Sequence, residues 1–252
     1  MSAVSAGRDA VVSGSGVISG GQYDKVKISG SGKIQGTINA QQITISGSGS
    51  VNGDAYASEY SSSGSSSVKG GFFGRKFSSS GSASVKGEMQ AEEVRTNGSF
   101  ACEAKMRTNV LVSNGSLRCE GDVEAEELRV DGMVTIRGML NTNSGDITAR
   151  GSSYIREIGC ERLTVRRDSI SRLGGFRGIL RFIARLFFGR DTIGYLRSET
   201  IEGTDLSLEC THASVVRGER VTIGTGCEIG LVEYSKELSV HPEAIVKDRR
   251  KM

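Results

Sequence analysis

The chain has 252 residues, 37% of them hydrophobic, enough for a sizeable core, yet only 6% are aromatic, with one Pro and no Trp; collagen, Pro-rich linkers and large aromatic-lined pockets are thereby excluded. Lys and Arg number 32 against 29 Asp and Glu, for a net charge of +3. A basic function would therefore have to sit in a local cluster, and nucleic acid is not an expected partner.

Residues 1–10 read as a flexible N-terminus without a Lys- or Arg-led apolar stretch, and nowhere do 18 apolar residues run together. Neither a signal peptide nor a membrane span is expected, which places the chain in the cytoplasm. Five Cys without any C-x-x-C pair read as reduced thiols, with no disulfide framework or zinc site.

From residue 11 to about 150 the chain repeats itself every 17 residues. One apolar column is Ile34, Val51, Val68, Val85, Cys102, Cys119 and Ile136; four residues on, another is Ile38, Ala55, Phe72, Met89, Met106, Val123 and Leu140. A third runs Ile43, Tyr60, Phe77, Val94, Leu111 and Leu128. Glycine holds two more columns, Gly30 to Gly132 and Gly36 to Gly138, with Ala104 the one substitution in the second. Val17, Val26 and Ile28 fit the same phase one unit earlier. Within a unit Ile34, Gly36, Ile38 and Ala40 alternate with polar residues, as do Ile43, Ile45 and Gly47 after a break at Gln41 and Gln42. That period of two specifies strands; a helix carrying two or more Gly would lose roughly 1 kcal/mol at each relative to Ala. Short strands broken by turns, each coil unable to bury its apolar face alone, describe an all-β parallel β-helix, or solenoid, with Gly at its corners. The Ser-rich stretch SSSGSSSVKGG at 61–71 resembles a linker, but Val68 and Phe72 keep the register, so it reads as a coil.

Beyond residue 150 the phase slips, although Ile155, Ile158, Leu163 and Val165 still alternate, and the β-helix is expected to run over 11–165. Residues 166–198 interrupt it. The stretch 166–190 contains seven Arg against Asp168 alone, a local charge of +6. On a helical wheel Phe176, Ile179, Leu180, Ile183, Leu186 and Phe187 share one face and Arg177, Arg181 and Arg185 form a stripe on the other, which predicts a basic amphipathic helix. Two readings are open: interfacial binding to anionic lipid, or an arm packed on the flank of the rod. The β-helix resumes over 199–241, with Leu206 and Leu208, Val221 and Ile223, Leu238 and Val240 as paired apolar positions, giving about twelve coils and a rod on the order of 55 Å long at ~4.8 Å per coil. Residues 242–252 are expected to be a loose polar tail.

The unit GDVEAEELRVDGMVTIRGML at 121–140, through Gly121, Asp122, Val123, Ala125, Leu128, Val130 and Gly132, resembles the repeat of the bactofilins, the bacterial polymer-forming cytoskeletal family; GTINAQQITISG and GEMQAEEVRTNG carry the pattern more weakly. The resemblance implies a right-handed β-helix that polymerises end to end without nucleotide or other cofactor. It implies filaments that scaffold cell shape, motility or envelope machinery at the inner face of the membrane, with a related bactofilin subunit as a candidate partner. This chain departs from the family in lacking Pro-rich tails and in carrying an insert within the helix.

Other chemistry is sparse. His212 and His241 sit in no cluster with metal-ligand spacing, and both read as ordinary surface residues. The pairs Cys102 and Cys119, and Cys210 and Cys227, each 17 apart, read as stacked buried thiols. The pairs Glu92 and Glu93, and Glu126 and Glu127, recur at equivalent repeat positions and read as solvated rows rather than catalytic carboxylates. The enzymatic alternative is a hexapeptide-repeat acyltransferase, suggested by VTIGTGCEIG at 221–230 with His212 as base. Such enzymes keep three hexads per 18-residue coil, against 17 here. A surface adhesin would require an export signal.

Overall fold

The computed structural model describes residues 8–167 and 194–252. They form a parallel β-solenoid of about 11 turns with about 17 residues in each. In chain order the strands are β1 (Ala10–Val51), β2 (Ala55–Val68), β3 (Phe72–Val85), β4 (Met89–Cys102), β5 (Met106–Cys119), β6 (Val123–Ala149), β7 (Ser152–Arg167), β8 (Tyr195–Leu208), β9 (Thr211–Ile223), β10 (Glu228–Val240) and β11 (Ile245–Lys251). Each pairs in parallel with the next, and the sheet order is the chain order. From Ile38 on Ala55 to Cys119 on Ile136 the register offset is one coil of 17 residues. The slip seen past residue 150 has a structural cause: an irregularity between Ile136 and Met139 puts Thr135 on Tyr154 and Leu140 on Ile158, so this coil is one or two residues longer.

Alternation decides which side chains enter the core. In the coil that starts at Val123, the residues Val123, Ala125, Leu128, Val130, Val134 and Ile136 are buried and their neighbours point outward. The buried residues come as three i, i+2 pairs, one from each of three short sides of the coil. Every residue assigned to the core is inside: Ile34, Ile38, Ile43, Val51, Val85, Val94, Cys102, Cys119, Val123, Leu128, Ile136 and Leu140 are all at most 2% exposed. Val17 is not, at 68% exposure, so the first coil departs from the repeat phase there.

Stacked coils share one cross-section, so a large side chain at one inward position requires small ones beside it. The coils of β2 and β3 bury Tyr60, Phe72 and Phe77, and small residues, Ser62, Ser66, Ser79 and Ala83 among them, occupy other inward positions. The Tyr60 and Phe77 rings stack at 4.8 Å and 5°, with Phe72 edge-on to both. The Ser-rich stretch is thus a coil whose core is filled by rings from its own and the next turn.

The two glycine columns answer different constraints. Gly98 has φ of +118°, and a Cβ there would lie 2.3 Å from the Gly81 carbonyl oxygen on the coil below. Gly121 has no such φ; it is required by approach alone, since a Cβ would sit 2.8 Å from the backbone of Ala104 and Lys105.

Three expected boundaries shift. Residues 242–252 are no loose tail: β11 pairs with β10 from Glu228 on Ile245 to Tyr234 on Lys251, because the edge of β10 supplies a backbone template that charge-rich side chains do not prevent. Arg166 and Arg167 belong to β7, where Arg166 pairs with Asp146 at 3.1 Å and the Arg167 N–H donates to Glu209 Oε2 at 2.9 Å. Tyr195 to Ser198 already form the start of β8. The predicted amphipathic helix falls in 168–193, outside the described residues.

Candidate functional site

The candidate contact residues Phe176, Arg177, Ile179, Leu180, Arg181, Ile183, Arg185, Leu186 and Phe187 all lie outside the described residues. The structure does describe where that segment is rooted. Ser152 stands on Tyr195 and Val165 on Leu208, an offset of 43 residues, which is one 17-residue coil plus 26. The insertion therefore leaves and re-enters between two coils that still stack directly. Its return is held by the Tyr195 N–H donating to the Gly151 carbonyl at 3.0 Å and by the Ser152 and Tyr195 hydroxyls 3.0 Å apart, and its exit by the Arg167 N–H donating to the Glu209 carboxylate at 2.9 Å.

At the ends of the sheet, β1 and β11 each pair with one neighbouring strand among the described residues. The first turn is fastened by Arg8, which lies 4.6 Å over the Tyr23 ring and donates to its hydroxyl at 2.8 Å, and it leaves Val11 65% exposed. At the other end β11 turns Lys247, Arg249, Arg250 and Lys251 outward, all exposed. Glu233 ties it down: its carboxylate accepts from Arg217 of β9 at 2.7 Å and from Arg250 of β11 at 3.2 Å, and these partners, Arg217 first, hold it below the usual carboxylate range.

Four of the five thiols are buried, and Cys160 is half-buried. Cys102 and Cys119 are register partners, and both Sγ atoms lie near the Ala104 carbonyl oxygen, at 3.3 and 3.2 Å. The contact with Cys102, then burial, pushes the Cys119 thiol up. Burial pushes Cys160 up to about 12 and Cys227 up to about 11, so these three stay protonated at neutral pH. Cys210 and Cys227, expected to stack, do not share a register: the Cys210 N–H bonds the Thr225 carbonyl at 2.9 Å, because coils in this part are 15 to 17 residues long.

His212 does not stand alone. Its ring stacks on Tyr195 at 5.3 Å and 15°, and the Arg197 guanidinium lies 5.3 Å over the other ring of that pair. His212 and Arg197 border a groove of about 430 Å³ with Glu228 and Lys247. His241 Nδ1 accepts from the Glu243 N–H at 3.2 Å. Among the described residues no three His, Cys, Asp or Glu side chains converge in a way that could hold a metal ion.

The larger concavity runs along the flank formed by β3 to β7, about 740 Å³, over the positions Gly74, Ala91, Thr108, Ala125, Thr142 and Cys160. Small residues at this corner of successive coils leave the depression. The pair Glu92 and Glu93 separates here. Glu93 is neutralised by Arg95 and Lys76, and Glu124 by Lys105 and Arg107, and both carboxyls are held below their ordinary range. Glu92 and Glu126 line the groove and make no ion pair among the described residues. The expectation of solvated rows holds for Glu92, Glu126 and Glu127, all exposed and without an ion pair among the described residues, and fails at Glu93. Sequence period alone marks equivalent positions but says nothing of which neighbour a long side chain reaches.

No protein-family model matches the chain, and no solved structure does. Two curated proteins of Bacillus subtilis (strain 168) are similar: the uncharacterized protein YhbF, 34% identical over 113 residues, 44% of this chain and 41% of YhbF, and the uncharacterized protein YhbE, 36% identical over 118 residues, 46% of this chain and 44% of YhbE. The matched stretch spans less than half the length of either relative. Among the described residues no helix is long and apolar enough to cross a membrane.

Proposed function

We propose that this chain is a bactofilin-like subunit that assembles with itself end to end, without nucleotide, into a filament that scaffolds cell shape, motility or envelope machinery. The observation that carries the reading is the continuous parallel ladder from β1 to β11, with a single neighbour for each of the outermost strands among the described residues. A backbone edge of this kind templates another strand unless something covers it, and a second copy offers the same 17-residue cross-section. The right-handed coil implied by the family resemblance agrees with the hand that parallel crossover connections almost always take. The basic apolar segment at 173–189, rooted on the side of the rod, is suited to hold such a filament against anionic lipid at the inner membrane face without interrupting the stack. A related subunit of the same cross-section would co-assemble by the same contacts.

Sedimentation velocity with negative-stain electron microscopy, in buffer free of nucleotide and metal, tests the reading. Filaments whose length grows with protein concentration are expected. A sharp monomer across a wide concentration range, unaffected by salt, overturns it, and binding of acyl-CoA by that monomer would point to the acyltransferase alternative.

A further inference from the structure

The flank groove carries a pattern that filament formation does not use. On five successive coils, one outward column reads Glu92, Asn109, Glu126, Asn143 and Glu161, all exposed and all lining the groove. The register pairs on either side, Ala91 on Thr108 and Glu93 on Val110, Thr108 on Ala125 and Val110 on Glu127, and, one longer coil on, Thr142 on Cys160 and Ser144 on Arg162, put Glu92 level with Asn109, Asn109 with Glu126 and Asn143 with Glu161. None of the three carboxylates has an ion pair or a side-chain hydrogen bond among the described residues, in contrast to Glu93 and Glu124 on the same coils. Unpaired carboxylates therefore recur every second coil, about 9.6 Å apart, with a carboxamide midway.

That spacing selects a ligand shape. A polyproline-II chain rises ~3.1 Å per residue with three residues per turn, so one face repeats every ~9.3 Å. A β-strand repeats its face every ~6.7 Å and an α-helix every ~5.4 Å, and both fall out of step with the carboxylates within two coils. The three glutamates span about 19 Å, the length of seven polyproline-II residues. Such a chain has no internal hydrogen bonds, and the amides of Asn109 and Asn143 offer it both a donor and an acceptor. Above Gln90 the adjoining outward column continues with Phe73 and Tyr56, whose rings stack at 5.1 Å and 18°, with Tyr56 41% exposed. A ring face at the end of an acidic groove suits a further cation or a proline.

We propose that this groove docks an extended basic peptide, in polyproline-II conformation, with a Lys or Arg at every third residue. The site lies along the flank of the rod, so it is independent of end-to-end assembly. The test is fluorescence anisotropy at low salt with two labelled nine-residue peptides of equal charge, one (Arg-Pro-Pro)3 and one with its three Arg at alternate positions among Pro. The first is expected to bind about fivefold or more tightly than the second, and Glu92→Gln with Glu126→Gln and Glu161→Gln to weaken it at least about tenfold. The remote triple Glu228→Gln, Glu237→Gln and Glu243→Gln should leave binding unchanged. Equal affinity for the two peptides, no binding of either, or equal losses from the two triples with β-rich circular dichroism intact would overturn the proposal. Glu126→Gln alone, expected to cause a threefold or greater loss, keeps the test decisive should the triple variant fold poorly.

Discussion

Replacing Phe77 with Ala probes the stacked core at its most concentrated point. The ring is 1% exposed and touches three others: Tyr60 stacked at 4.8 Å, Phe72 edge-on at 5.1 Å and Phe100 tilted at 5.4 Å. Removing a buried Phe typically costs about 3–5 kcal/mol, and each aromatic pair adds about 0.5–1.5 kcal/mol beyond area burial. Collapse into the void is blocked because the neighbouring inward positions, Ser62, Ser79 and Ala83, are already small and the backbone spacing is set by the ladder. A loss of about 4–5 kcal/mol is therefore expected, near the upper end of that range. Phe73→Ala is the matched control: its ring also stacks, on Tyr56 at 5.1 Å, but on the outer face, and about 1 kcal/mol or less should be lost. Urea unfolding followed by circular dichroism gives the two values. Hydrogen exchange locates the damage, which should concentrate in residues 55–102, since coils interact with their nearest neighbours. A loss below about 2 kcal/mol for Phe77→Ala, or equal losses for the two variants, would refute the packing argument.

Gly98→Ala should lower stability by about 3 kcal/mol, from both a left-handed φ and a carbonyl 2.3 Å from the new Cβ, whereas Gly14→Ala, with φ of +97° and nothing within 4 Å, should lose only about 1–2 kcal/mol of strain; thermal melting compares them. Burial pushes Tyr60 up to about 12, with Ser66 acting weakly the other way, so the folded state holds this proton more tightly than the unfolded chain, whose phenol titrates near 10. Stability from this group is complete below pH ~10 and is lost between ~10 and ~12, and the extra downward slope should vanish in Tyr60→Phe when the two urea midpoints are compared across that window. For the insertion, Phe176→Ser with Phe187→Ser should abolish co-sedimentation with anionic vesicles while filaments persist, and Arg181→Glu with Arg185→Glu, or added salt, should weaken it. Absence of wild-type binding together with a lowered melting temperature for the Phe variant would leave the segment as a flank arm.

The solenoid was legible in the sequence because a 17-residue coil forces chemically equivalent residues onto one another, so Val123, Leu128 and Ile136 mark the core by period alone. The Ser-rich coil was legible for the same reason, through Val68 and Phe72. What only tertiary structure decided is what depends on a neighbour rather than on a position. The strand β11 forms because the edge of β10 offers it a ladder and Glu233 grips Arg250, although IVKDRRK has little apolar pattern of its own. The slip past residue 150 became an identifiable register irregularity between Ile136 and Met139, and Cys210 lost its expected partner to the shorter coils nearby. Glu92 and Glu93 are adjacent in the chain, yet one lies unpaired in a groove and the other between two cations, because alternation and the lateral neighbours 17 residues away assign them different surroundings. Periodicity along the chain sets which residues stack; the reach of side chains between coils decides what each stack can bind.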